Sequence, residues 1–119
     1  MGAWKKLIDI YTIQGNARGA CNALIRSTEN ADPPLAVLSS MANLVNGDRS
    51  FIESTDVSDR QTLIRPLAGL MEQHLREASP IDLWRLAWLH LHSGNKDRAL
   101  EVAEMGLRTL RTITATNLA

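Results

Sequence analysis

Apolar residues recur at three- and four-residue intervals through most of this chain, the period of helices that each bury one face. Trp4, Leu7, Ile8 and Tyr11 stand at i, i+3, i+4 and i+7, and Leu38, Met41, Ala42 and Val45 take the same spacing further on. Leu83, Leu86, Ala87 and His90 repeat the outline near the other end. Small and apolar residues follow in both outer copies, Ala20 and Leu24 in the first, Ala99 and Ala103 in the last. Between them Leu63, Leu67, Leu70, Met71 and Leu75 make a longer stripe that stops at Ala78-Ser79-Pro80.

Punctuation turns these stripes into about six helices. The first runs from about residue 3 to Gln14 and ends at Gly15, whose missing Cβ permits a left-handed stop. The second covers Ala17 to Ser27, before the polar turn Thr28 to Asp32 and Pro33. A third starts at Pro34, suited to a first helical position because its absent N–H would be unpaired there, and stops near Gly47. Ser58 and Gln61 have capping-box spacing, which starts a fourth helix at Asp59 and carries it to Glu77. Pro66 lies inside it and predicts a kink or short break near Thr62 to Arg65. The fifth takes Pro80 or Ile81 to His92 and the sixth Lys96 to about Arg111, with a frayed threonine-rich tail over 113–119.

The opening residues, Trp4, Leu7, Tyr11, Gly15, Ala20, Leu24 and Pro33, resemble the tetratricopeptide repeat, W-x2-L-G-x2-Y, then A-x3-F, then Pro, over about 34 residues. Aligning Gly15-Asn16 with Gly94-Asn95 supplies a second copy, in which Ala87 takes the small-residue slot that Ile8 fills in the first. Ile8 predicts a slightly wider helix pair there. The resemblance implies an all-α, right-handed α-solenoid of antiparallel helix pairs forming one domain over 1–119. Its repeats would span about 1–33, 34–79 and 80–112, the middle one carrying a loop insertion at 46–57.

Composition agrees with aliphatic helix packing, at 45% hydrophobic but only 4% aromatic. The 13 basic and 13 acidic residues cancel, which argues against a broad field for nucleic acid or membrane. There is no apolar run long enough for a membrane span and no signal peptide, so the cytoplasm is the default expectation, and the start at Met1-Gly2-Ala3 suits a piece of a longer protein. Cys21 is the only cysteine, so no internal disulfide is available. Beside Ala20 it reads as a small packing residue, with a reactive thiol as the alternative.

Members of the resembled family bind an extended peptide or a partner's helix in a concave groove lined by the first helix of each repeat. The matching positions here are Lys5, Asp9 and Thr12, then Ser39, Asn43 and Asn46, then Trp84, Trp88 and Leu91. Trp84 and Trp88 are one turn apart and suit an interface, although both could instead pack on a neighbouring helix. Lys5 and Arg85 supply a cationic lip. The partner-binding candidates are therefore Lys5, Asp9, Asn43, Trp84, Arg85 and Trp88. Asp9, Ser40 and Ile81 replace residues that a carboxylate clamp for chaperone tails would need, and a carboxylate at Asp9 would repel such a ligand. In the insertion, Phe51 and Ile52 form an apolar pair that either anchors the loop or contacts a partner.

Catalytic signals are absent from the spacing. His90 and His92 are two apart and point to nearly opposite helix faces, and the spacing of the carboxylates Asp9, Asp59, Glu72, Glu77 and Glu101 implies no pairing. No phosphate loop, nucleophile elbow, metal set or cofactor motif occurs. Val102, Met105, Leu107 and Leu110 mark a terminal face that a poor helix-forming tail leaves bare. The expected function is a non-enzymatic protein-interaction module without cofactor. The alternatives are a structural segment that forms homo-oligomers through its exposed terminal helix, and a small chaperone.

Overall fold

The computed structural model describes residues 6, 9–11, 13–27 and 33–118, and among them every regular element is helical. Trp4, Lys5, Leu7, Ile8, Thr12 and the turn Thr28 to Asp32 lie outside the described residues. After the helical residues 9–11 and 13, the chain forms α1 (Ala17–Ser27), α2 (Leu35–Gly47), α3 (Arg49–Ser54), α4 (Val57–Glu72), a 3₁₀ turn (Leu75–Glu77), α5 (Pro80–His92) and α6 (Lys96–Leu118).

The periodic stripes meet in one core. Leu24 of α1, Leu38 and Met41 of α2, Ile64, Leu67 and Met71 of α4, Leu86 and Leu89 of α5 and Val102 of α6 are all fully buried. Cys21 joins them, and burial pushes its thiol up to about 12, far from the range of a reactive thiolate. Two helix ends are built alike. Gly15 and Gly94 adopt φ of +68° and +82°, and the following N–H reaches back five residues, from Asn16 to Tyr11 O and from Asn95 to His90 O, both at 2.8 Å. This is the glycine-closed helix stop that satisfies an orphan carbonyl.

The insertion is ordered as a helix. α3 starts where Asp48 accepts a hydrogen bond from the Phe51 amide at 3.0 Å, and Phe51 enters the core while Ile52 is half-buried. Arg60 of α4 then holds its far end. Its guanidinium donates to Ile52 O at 2.8 Å, to Thr55 O, and to His92 O at the end of α5 at 2.8 Å. Of the two readings of Phe51, an anchor or a partner contact, the structure has the anchor: the ring packs inward, with the Arg18 guanidinium 5.9 Å above it.

Three boundaries also differ from expectation. α4 begins at Val57, because Asp56 and not Ser58 caps it, accepting from the Asp59 amide at 2.8 Å. It passes through Pro66 unbroken. The carbonyl that loses its donor belongs to Thr62, an exposed residue, where solvent can replace the missing N–H. α4 ends at Glu72, short of Glu77, and the 3₁₀ turn covers the remainder. Finally, the tail does not fray at 113: α6 continues to Leu118, with Thr109 and Thr112 returning their hydroxyls to Met105 O at 2.9 Å and Arg108 O at 3.0 Å.

Candidate functional site

α5 and α6 create the most distinctive surface of the described residues. Ser79 and Asp82 start α5 with a reciprocal capping box, and Pro80 occupies its first turn. The buried residues Leu83, Leu86, Leu89 and His90 fix the helix's rotation, so the opposite positions Ile81, Trp84, Trp88 and Leu91 must face outward. α6 presents Leu100, Leu107 and Leu110 in the same manner, and Ile113 is also exposed. Among the described elements α6 packs extensively only on α5, so nothing covers this side.

The two outward stripes converge on a cleft of about 350 Å³ lined by Trp84, Ala87, Trp88, Leu91, Lys96, Ala99, Leu100 and Ala103. A second, of about 270 Å³, continues it past Pro80, Ile81, Trp84, Gly106, Leu107 and Leu110. Trp84 stands at the junction. Lys96 is the sole ionisable residue of either lining. Trp84 is 52% exposed and Trp88 42% exposed, so neither fills the core in the alternative manner. Trp88 is nevertheless held: its ring stacks on His92, with centroids 5.7 Å apart. His92 is half-buried, and burial followed by the nearby Arg60 charge lowers its pKa below the ordinary 6.5.

The other candidates lie elsewhere. Arg85 is half-buried against α2, where Nη1 donates to Ser39 Oγ at 2.9 Å and Ser39 Oγ donates to Asp82 Oδ1 at 2.6 Å. Burial raises the Asp82 pKa, but the bonds from Ser39 and Ser79 and the Arg85 charge outweigh it and hold the group below its usual value. Asn46 Nδ2 donates to Arg85 O at 3.1 Å. Asn43 is exposed on a separate shallow depression with Gly15, Gly47 and Arg49, and Asp9 is exposed on the first helical segment. Lys5 lies outside the described residues. Of the terminal-face residues, Leu107 and Leu110 are exposed, Met105 is half-buried, and Val102 is corrected to the core.

Spacing alone missed a polar cluster joining three helices. Glu72 of α4 receives both Arg98 of α6, at 2.8 and 2.6 Å in a fork, and His90 Nε2 of α5 at 2.9 Å. The Arg98 bonds hold the Glu72 carboxyl below the usual carboxylate range despite its burial. Arg98 also donates to Glu101 at 3.0 Å. This arrangement clamps helices together; its acceptors are already occupied by donors, and no set of three metal-ligating side chains occurs among the described residues.

No helix among the described residues is long and apolar enough to cross a membrane. No protein-family model, no curated protein and no solved structure matches this chain.

Proposed function

We propose that this chain is a non-enzymatic protein-interaction module of the tetratricopeptide type, which docks an apolar helix or peptide of a protein partner against the α5–α6 face. The observation that carries the reading is the pair Trp84 and Trp88, both half-exposed along a cleft with almost no polar lining, Trp88 held by its stack on His92. Half-exposed tryptophans in a preformed apolar groove are what a binding hot spot needs: large contact area and little ordering entropy left to lose. A continuous patch of this size is unusual on a surface that stays bare.

The repeat architecture, a right-handed solenoid of antiparallel pairs with units near 1–33, 34–79 and 80–112, is supported by the matching turns at Gly15-Asn16 and Gly94-Asn95. Trp84 and Trp88 serve as anchors. Arg85, tethered by Ser39, sets the polar edge beside them, and the exposed Asp9 and Asn43 are further contact positions for longer partners. The cytoplasm is the proposed location, on the strength of one buried, unreactive cysteine.

Trp88→Ala tests the assignment with a synthetic amphipathic helical peptide that carries leucine along one face as the probe. The variant is expected to keep its helical spectrum and to weaken peptide binding about tenfold or more. Because the ring is partly exposed, the stability loss should fall below the roughly 3–5 kcal/mol of emptying a core Trp site. Unchanged peptide affinity would contradict the assignment.

A further inference from the structure

We infer that the occupant of the α5–α6 groove is α6 of a second copy of this chain, packed antiparallel about Leu107 so that each copy fills the other's groove. The inference rests on the docking reading above and names its partner. Three features of the molecule point to it.

The first is length. A Cβ placed on Gly106 would lie 3.5 Å from the Leu83 side chain and 3.7 Å from Pro80 O, so Gly106 sits against the start of α5. α6 runs on to Leu118, an arm of about 18 Å past the start of α5, the only described helix on which α6 packs extensively. The groove follows α6 from Lys96 to Leu110, about 21 Å, and so overlaps the base of the arm at Leu107 and Leu110. An arm and a groove of similar length on one helix are the two halves of an isologous contact.

The second is area. The exposed portions of two tryptophans and six aliphatic side chains on this face come to roughly 700 Å² per chain, near the roughly 800 Å² that each partner brings to a standard interface. Leu107, Leu110 and Ile113 on the arm are 45%, 49% and 44% exposed, which supplies the apolar filling that the tryptophan cleft lacks.

The third is charge. Glu104 and Arg111 are exposed, two helical turns apart, and so flank the same side of the stripe that holds Leu100, Leu107 and Leu110. Their midpoint falls beside Leu107. In an antiparallel pair centred there, Glu104 of each copy meets Arg111 of the other, twice by symmetry. A parallel two-fold pair would put the two copies' Glu104 and Arg111 on opposite sides of the seam, where neither charge meets its complement, so only the antiparallel arrangement pairs them.

Sedimentation velocity of the full chain over a concentration series tests this. The unmodified chain is expected to dimerise with rising concentration. Glu104→Arg and Arg111→Glu each replace two attractions by two repulsions and should weaken the dimer about tenfold, with an unchanged helical spectrum because both positions are exposed. An equimolar mixture of the two variants should associate again, since one chain then carries only arginines at these positions and the other only glutamates. A chain that stays monomeric throughout, or a dimer indifferent to both reversals, overturns the inference. A monomer that still binds the leucine-faced peptide overturns the second-copy occupant and leaves the docking groove standing, whereas a monomer that binds no peptide overturns both.

Discussion

Glu72 shows how one side chain can tie distant parts of a small helical protein together. It sits at the end of α4, yet its carboxylate takes hydrogen bonds from His90 on α5 and a two-point grip from Arg98 on α6. Replacing it by Gln removes the charged partner that holds Arg98 from two sides and leaves only the more exposed Glu101, and Glu72→Gln should cost about 1–3 kcal/mol at neutral pH, measured by denaturant unfolding. The pH dependence has a definite sign. The Glu72 pKa is lowered from 4.5 on folding, so its contribution is fully present above that value and is lost as pH falls through the folded-state pKa. The stability gap between parent and variant should therefore close in acid, below about pH 4.5. A gap that persists unchanged there would mean the carboxylate charge is not what stabilises the cluster. None of this was legible in the sequence, because Glu72 and Arg98 are brought together only by the packing of α4, α5 and α6. Cys21 was legible, since a lone thiol beside Ala20 on an apolar stripe has a core to enter.

At the scale of elements, the long periodic stripes read correctly as helices and the short or unusual ones did not. α2 and α5 match their stripes because four or more apolar positions fix the period. α3 has six residues, too few for a period to appear, and its helix is held by groups far along the chain. Arg60 supplies that hold through Ile52 O, Thr55 O and His92 O. Arg60→Ala should lower stability by about 1–3 kcal/mol and, more tellingly, speed amide exchange over α3 more than over α2. Equal effects on both helices would argue against a local clamp. α6 exceeded its expected length for a related reason. Its threonines lower helix propensity only by fractions of a kcal/mol each, and two hydroxyls return to carbonyls of the preceding turn.

For the whole molecule, the sequence pointed to Trp84 and Trp88 but placed them in a groove shared with Lys5, Asp9 and Asn43. The structure keeps Leu91 beside them, as the spacing predicts, and adds Leu100 and Ala103, while Asn43 borders a different depression and Arg85 turns toward Ser39. The shift arises because α6 continues past α5, which joins what read as two surfaces, a binding groove and a terminal face, into one apolar side. If this side docks a partner as proposed, its two tryptophans report directly on whether that cover arrives. The most direct measurement is fluorine NMR of the chain labelled with fluorotryptophan, following the change in shift between ordinary and heavy water. Signals from Trp84 and Trp88, assigned by Trp84→Phe and Trp88→Phe, should respond strongly to solvent in dilute solution and lose that response as the chain is concentrated or the leucine-faced peptide is added. Two tryptophans that remain equally solvent-sensitive under both conditions would contradict the account.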